Sequence, residues 1–262
     1  MRPTLKVNTM NLKCSKSVLL GTSALVCLAL AAPVMADDFV ITSSDGSTNG
    51  VGTTNGATAA AIPGNAIDGG HTVSLGIALT TTGANEGIAT GGTNKVTVSE
   101  AGSITTGTVN NAYGIYNFGS TNTTTVSGSI TTGGNYAYGI WNQGDDNKTT
   151  VSGSIETTGD SADGIFNEGD DNTTTVSGSI KTGGYGIFND GAYNTTTISG
   201  SIETTGLGGY GIENDGAYNT TTVSGDIVTR EADGHGIFNE GDNNKTTLSG
   251  SITTTGASSY GI

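Results

Sequence analysis

Apolar and polar residues alternate in short segments that recur about every 25 residues from Val73 to the end of the chain. Within residues 117–142, Thr124, Val126 and Ile130 share one parity, and the intervening Thr and Ser residues share the other. Alternation with a period of two is typical of a strand with one buried face, and Thr, Val and Ile favour strands. No proline follows Pro63, and helical periodicity is absent after residue 36. The pattern therefore predicts an all-β protein.

Each repeat carries two short sequence elements in a fixed order. The first element is an apolar residue, usually followed by Ser, at Val73, Val98, Val126, Val151, Val176, Ile198, Val223 and Leu248. The second element is Gly-Ile, which begins at Gly87, Gly114, Gly139, Gly164, Gly186, Gly211, Gly236 and Gly261. A fixed period of this size indicates stacked repeats rather than a globule with one site.

The spacing of these elements selects the repeat fold. From Gly114 onward, each Gly-Ile element is followed by the next Val-Ser element after 12 residues. The other arc, from the Ser-Ile pair to the next Gly-Ile, spans nine residues, but ten after Ile77 and Ile104 and six after Ile180. Solenoid strands must stay in register while one turn tolerates length changes, and propeller blades need about 40 residues. We therefore expect a right-handed parallel β-helix (β-solenoid) of about eight coils over residues 73–262.

Equal positions of successive coils should stack about 4.8 Å apart and form three inner apolar columns. The first column is Ile88, Ile115, Ile140, Ile165, Ile187, Ile212, Ile237 and Ile262. The second consists of the Val-Ser positions, and the third is Ile77, Ile104, Ile130, Ile155, Ile180, Ile202, Ile227 and Ile252. Three apolar side chains per coil form a thin core, so stability should accumulate by stacking.

Two asparagine columns follow the same period. They are Asn117, Asn142, Asn167, Asn189, Asn214 and Asn239, then Asn122, Asn147, Asn172, Asn194, Asn219 and Asn244. Stacked amides could bind a sugar, and the second column also forms Asn-x-Thr sequons. The favoured interpretation is structural: an internal ladder at the coil corners, in which each amide donates a hydrogen bond to the next.

A column of aromatic residues is outward by parity and is the candidate recognition stripe. It comprises Tyr116, Trp141, Phe166, Phe188 and Phe238, and Glu213 interrupts it. The rings could bind carbohydrate or protein, or they could simply stack across strands on the outer face.

Other recurrent surface residues suggest further chemistry. Acidic turns that include Asp145-Asp146 and Asp170-Asp171 could bind calcium, but the nonapeptide motif of calcium β-rolls is missing. Outward Thr pairs such as Thr123 and Thr125 could form an ice-binding plane, which Lys148 and Lys245 would roughen. A polysaccharide-acting solenoid would need a unique pair of carboxylates, whereas these acids are repeated. No motif places a catalytic, cofactor-binding or metal-binding residue, so we do not expect an enzyme.

The first 36 residues have the pattern of an export signal. A basic start is followed by the apolar residues 18–32 and by Val34-Met35-Ala36, a cleavage site of small residues. Both cysteines, Cys14 and Cys27, belong to this segment. Removing it leaves five basic against 23 acidic residues, a formal charge of −18. Such a charge disfavours nucleic acid as a partner.

Residues 37–72 are less regular and are expected to form an amino-terminal cap with an imperfect first coil, in which Phe39-Val40-Ile41 is a strand.

An export signal, a cysteine-free acidic mature chain and the repeat Gly-Ile-Tyr-Asn-Phe-Gly-Ser-Thr-Asn-Thr-Thr-Thr-Val-Ser-Gly-Ser-Ile resemble the passenger region of bacterial autotransporters. The resemblance covers roughly residues 73–262. It implies a type V secreted protein at the bacterial cell surface, often an adhesin, with a host-cell or matrix glycan or protein as partner. The outer-membrane translocator domain of that family is missing, and the repeats stop inside a Gly-Ile element, so an amino-terminal fragment is expected. The haemagglutinin type of two-partner secretion is the alternative within this class, although its Asn-Pro-Asn motif is absent.

Overall fold

A computed structural model describes residues 38–44, 50–54, 57–62, 70, 72–81 and 86–262. The predicted signal segment, residues 1–36, lies outside the described residues. Three strands come first: β1 (Asp38–Ser44), β2 (Gly50–Thr54) and β3 (Ala57–Ile62). β1 contains the expected strand Phe39-Val40-Ile41.

Seven coils of three strands follow, and two more strands begin an eighth. The first four coils are β4 (Thr72–Leu75), β5 (Ala78–Thr81), β6 (Ile88–Thr90); β7 (Lys95–Val98), β8 (Ser103–Thr106), β9 (Ile115–Asn117); β10 (Thr123–Val126), β11 (Ser129–Thr132), β12 (Ile140–Asn142); and β13 (Lys148–Val151), β14 (Ser154–Thr157), β15 (Ile165–Asn167). The remaining strands are β16 (Thr173–Val176), β17 (Ser179–Thr182), β18 (Ile187–Asn189); β19 (Thr195–Ile198), β20 (Ser201–Thr204), β21 (Ile212–Asn214); β22 (Thr220–Val223), β23 (Asp226–Thr229), β24 (Ile237–Asn239); and β25 (Lys245–Leu248), β26 (Ser251–Thr254).

Strands of equal position in successive coils pair in parallel and form three sheets. The first sheet has 11 strands, because β1 pairs with β4 in parallel and is followed by β2 and β3, which add as antiparallel strands. The second sheet has eight strands, from β5 to β26, and the third has seven, from β6 to β24. The prediction of an all-β parallel β-helix is therefore confirmed.

The apolar core lies between the three sheets as stacked columns. In the third sheet, the predicted isoleucine column runs in register from Ile88 to Ile237, and each of these side chains is at most 1 % exposed. Ile262, expected to be its last member, is 64 % exposed and lies in no strand. Since no described coil covers that position, the end of the column gains little from burial.

The other two predicted columns, those that begin with Val73 and Ile77, are wrong in the first coil. Val96 lies opposite Val73, Val98 lies opposite Leu75, and Ile104 pairs with Leu79 rather than with Ile77. The first coil is thus offset by two residues, and an even offset keeps every side chain on its own face. Either Val73 and Ile77 or Leu75 and Leu79 could occupy the two inner positions of the first coil. Both pairs are four residues apart, so the sequence motif could not distinguish the two registers. The observed register buries Val73, Leu75 and Leu79 completely and leaves Ile77 partly buried against the core.

The first asparagine column is the expected internal amide ladder. Asn117 Nδ2 donates to Asn142 Oδ1 at 2.7 Å, and Asn142 Nδ2 donates to Asn167 Oδ1 at 2.8 Å. The pattern continues to Asn239, while Thr90 takes the same place in the first coil. Each buried amide is therefore satisfied by the coils next to it.

The second asparagine column is also structural, but its main hydrogen bonds differ from the prediction. Asn147 Oδ1 accepts a hydrogen bond from the backbone N–H of Asn122 at 2.8 Å, and the same bond recurs down the column. The Nδ2 group of Asn147 closes its own turn on the carbonyl of Gly144. These amides fix the turn that precedes each strand of the first sheet.

Candidate functional site: an aromatic band and its cavity

The predicted aromatic stripe is an outer column on the third sheet, continuous from Tyr116 to Phe188, with Phe238 on the far side of Glu213. Tyr116, Trp141, Phe166 and Phe188 are half-buried and lie in register. Ring centroids are 4.5 Å apart for Tyr116 and Trp141, and 4.9 Å apart for Phe166 and Phe188, with nearly parallel planes. Cross-strand stacking, one of the two roles considered, is therefore observed directly.

A second outer column, which the sequence reasoning missed, lies beside the first. Its members directly precede the Gly of each Gly-Ile element: Glu86, Tyr113, Tyr138, Asp163, Tyr185, Tyr210, His235 and Tyr260. The two columns interlock edge to face, since Tyr138 lies 5.3 Å from Phe166 and Tyr185 lies 5.3 Å from Phe188. We call the two columns together the aromatic band. The recurrence of Tyr before Gly-Ile was the signal that could have revealed it.

Asp163 takes the place of a ring in the second column. Its side chain is only 5 % exposed, and Oδ1 accepts a hydrogen bond from the Tyr185 N–H at 2.7 Å. Burial raises the pKa of this carboxyl from 3.8 to about 8; the Tyr185 hydrogen bond lowers it, and the charge of Glu213 raises it further. Asp163 is therefore mostly protonated at neutral pH.

Glu213 interrupts the first column, as the sequence indicated, but it is buried rather than solvated. It is 7 % exposed, and Oε2 has no hydrogen-bond partner. Burial raises its pKa to about 7, Asp215 raises it further, and the Tyr185 hydroxyl, within hydrogen-bonding reach, lowers it. Tyr185 thus lies between the two acids, and burial followed by the charge of Glu213 raises the pKa of its own hydroxyl.

Neither acid has a cationic partner among the described residues. The two ion pairs of that part of the chain are Lys181–Glu156 and Arg230–Glu203, and both are largely exposed on the second sheet. Burying a carboxyl without a cation is costly. The aromatic band therefore contains two acids whose environment opposes their ionisation.

A cavity of about 170 Å³ opens in the band beside Asp163. The turn between β17 and β18 is three residues shorter than its neighbours, as the six-residue spacing after Ile180 shows. The turns of the two adjacent coils are longer, so they extend beyond this short turn and leave a gap between them. The lining residues come from four successive coils: Tyr136, Tyr138, Ser161, Asp163, Phe166, Gly183, Gly184, Tyr185, Phe188, Leu207, Gly208 and Gly209.

The missing ring and the short turn both contribute to this cavity. The second column stacks regularly on either side, with 5.4 Å between Tyr113 and Tyr138 and 5.1 Å between Tyr185 and Tyr210. Between Tyr138 and Tyr185 one ring is absent, which leaves two coil spacings, about 10 Å. The aromatic ladder is therefore open at one point, with Asp163 in the gap.

The other candidate surfaces have no comparable geometry. Among residues whose positions are described, no group of three or more His, Cys, Asp or Glu could hold a metal ion. The Thr surface is interrupted as expected, because Lys148 pairs with Thr123 and Lys245 pairs with Thr220. His235 stacks between Tyr210 and Tyr260 as a member of the band. His71 lies outside the described residues.

The described part of the chain contains no helix of the length and apolarity that a membrane span requires.

Comparison of the chain with protein-family models, with curated proteins and with solved structures gave no match.

Proposed function

We propose that this chain is a surface-exposed, β-helical passenger of an autotransporter-type export system, and that it serves as an adhesin-type scaffold. The observation that carries the proposal is the aromatic band, which places two columns of rings on the outside of a rigid repeat. These rings are half-buried and face outward, and contiguous apolar surface of this kind is typical of binding sites. The partner would be a glycan or protein of a host cell or matrix.

The remainder of the chain supports a scaffold role. The inner columns consist of Ile, Val, Asn and Thr that recur coil after coil, and they hold the outer residues in fixed register. A solenoid of this kind presents an extended surface. The formal charge of −14 for the whole chain favours solubility in an extracellular setting.

Export is tested separately from adhesion. Residues 1–36 are fused to a reporter enzyme that is active only after it crosses the inner membrane. We expect reporter activity, and a control in which Leu19 and Leu20 are replaced by Arg should have none. Equal activity of the two fusions would contradict the export proposal.

Adhesion is tested with the full chain displayed on a non-adherent bacterium. We expect display to increase attachment to epithelial monolayers or matrix-coated surfaces at least tenfold. A variant with Trp141, Phe188 and Phe238 replaced by Thr, which keeps strand propensity, should lose this gain. A matched variant with Thr125, Thr175 and Thr222 of the first sheet replaced by Ser should keep it. Attachment that is the same for both variants would contradict a role for the band.

A further inference from the structure

We propose that the cavity beside Asp163 binds an alkylammonium group of the quaternary type carried by choline. The positive charge would lie between the rings of Tyr138 and Tyr185, above the Asp163 carboxyl, with Phe166 and Phe188 as side walls. This inference rests on the proposed function only in treating the aromatic band as the recognition surface.

The walls of the cavity suit an organic cation. Phe166 and Phe188 are parallel with centroids 4.9 Å apart, and Tyr138 and Tyr185 meet them nearly at right angles. Aromatic faces are negative because of the ring quadrupole, and several rings around one centre attract quaternary ammonium groups. Phe166 is itself stacked between Trp141 and Phe188, so its faces are covered by other rings. The ring faces without a stacking partner are those of Tyr138 and Tyr185 that flank Asp163, because each of these rings stacks on its other side only.

The charge around the cavity points to the same ligand class. No lining residue is basic, Asp163 faces the space, and the buried Glu213 lies next to Tyr185. Anionic ligands are disfavoured because the lining offers them no basic partner and because the formal charge of the chain is −14. A bound cation would supply the positive partner that Asp163 lacks among the described residues, and it would stabilise the ionised carboxylate.

The size of the cavity limits the ligand to one headgroup. A volume of about 170 Å³ corresponds to roughly six water molecules at their liquid volume of ~30 Å³ each. A trimethylammonium head with its first carbons fits such a space, whereas an oligosaccharide chain would have to lie outside it. The gap of about 10 Å between Tyr138 and Tyr185 also leaves room for one group between the two rings.

The test is titration of the full chain with choline, followed by calorimetry and by the tyrosine and phenylalanine ring signals in NMR spectra. The matched control ligand is 3,3-dimethylbutan-1-ol, which has the same shape without the charge. We expect saturable choline binding, and at least tenfold weaker binding of the neutral alcohol. Absence of saturable choline binding, or equal binding of the two compounds, would overturn the proposal. Saturation by glucose instead of choline would also overturn it and assign the cavity to a neutral sugar.

Variants locate the site. Asp163→Tyr restores the ring that the other coils carry and should fill the gap, so we expect no choline binding. Phe188→Leu keeps an apolar side chain in β18 but removes one wall of the cavity, and should weaken choline binding at least fivefold. It also keeps the proposal testable if Asp163→Tyr does not fold. The control Phe118→Leu removes an exposed ring that belongs to neither column of the band and does not line the cavity, and it should bind choline as the unsubstituted chain does. Unchanged affinity in Phe188→Leu would overturn the assignment.

The two proposals fail separately. Loss of choline binding with adhesion retained would remove only the ligand assignment. Loss of adhesion with choline binding retained would remove the adhesin function and leave the cavity as an ammonium site.

Discussion

At the scale of single residues, the environment of a side chain is set by the same position in the coils on either side. Asn142 illustrates this, because both its amide groups are used by neighbouring coils: Oδ1 accepts from Asn117, and Nδ2 donates to Asn167. Asp163 illustrates the opposite case, in which a departure from the repeat leaves a group without its stacking partner. Residues at equal positions of the repeat can therefore be compared directly, and a residue that departs from the repeat, such as Asp163, is easily recognised.

Removal of one amide from the inner ladder should be costly. In Asn142→Ala, the Nδ2 group of Asn117 loses one of its two acceptors and keeps only Thr124 Oγ1, and Asn167 Oδ1 and Thr149 Oγ1 lose a donor. Each unsatisfied buried group costs about 1–3 kcal/mol, so we expect urea denaturation to show a loss of about 2–4 kcal/mol. The control Asn110→Ala removes an exposed amide that accepts one hydrogen bond. Similar losses for the two variants would contradict the ladder's role.

The two buried acids should make stability fall as pH rises. Asp163 keeps its proton in the folded chain up to a pKa of about 8, whereas in the unfolded chain the group ionises near 3.8. Between these values only the unfolded state releases the proton, so the free energy of unfolding decreases with rising pH. Glu213 acts in the same direction between 4.5 and about 7. Tyr138, Tyr185 and Glu213 are the titratable groups around Asp163.

This pH dependence is measured by comparing urea denaturation at pH 5 and pH 8.5. We expect Asp163→Asn to flatten the decline, and Asp163→Asn combined with Glu213→Gln to flatten it further. Asp160→Asn, in an exposed turn, should leave it unchanged. A decline of the same size in Asp163→Asn would show that burial of this carboxyl is not its source.

At the scale of elements, strands and turns differ in how far the sequence determines them. The 12-residue arc contains one strand of the third sheet, the turn closed by the second asparagine column and one strand of the first sheet, and its length is constant from Gly114 onward. The turn before β18 is not constant in length, and its deletion is absorbed locally. Constant spacing thus predicted the fold, and variable spacing marked the place of the cavity.

Glycines at the bends between the first and second sheets should resist substitution. A Cβ at Gly153 would lie 1.8 Å from the carbonyl oxygen of Gly128, in the backbone of the preceding coil. We expect Gly153→Ala to cost at least about 3 kcal/mol, because backbone cannot move aside as a side chain can. At Gly107 the nearest atom would be 3.8 Å away, so Gly107→Ala should be neutral or slightly stabilising. Thermal unfolding of the two variants separates these outcomes, and equal melting temperatures would contradict the close coil contact.

How much of the structure could be predicted from the sequence depends on whether a feature follows the repeat or interrupts it. Alternating Val, Ile and Thr identified the inner columns, and parity placed Trp141 and Phe166 outside. The offset in the first coil was not predictable, since Val73 and Leu75 suit either register. The cavity was missed because it depends on Asp163 replacing a ring in an unrecognised column, and on how neighbouring turns project over a shorter one. The positions of periodic residues follow from their spacing in the sequence, whereas the effect of an interruption depends on the three-dimensional structure.

At the scale of the whole molecule, stability should be highest in the middle coils. Among the described strands, β24, β25 and β26 lie at one edge of the three sheets and β3, β5 and β6 at the other, and each of these six pairs with a neighbour on one side only. Leu248 is 39 % exposed, whereas the equivalent Val176 is fully buried. Coils that share fewer contacts open more readily.

Hydrogen exchange tests this gradient. We expect amides of β25 and β26 to exchange at least tenfold faster than those of β16 and β17, because local opening there breaks fewer contacts. Five of the eight positions are identical between the two pairs of strands, and measured rates are divided by the intrinsic rate of each sequence before comparison. Equal protection in both pairs of strands would show that the solenoid opens as one unit.

The asparagine ladder also gives the molecule a direction. From Thr90 through Asn117 to Asn239, every donor faces the next coil and every acceptor faces the previous one, so the amide dipoles add along the axis. A coil therefore has an accepting side and a donating side, and it can join the stack in only one orientation. Duplication of a coil preserves this polarity, whereas a coil inserted upside down would oppose donor to donor. The solenoid can accordingly lengthen by whole repeats without new chemistry, and head-to-head association of two chains through this ladder is ruled out by its own polarity.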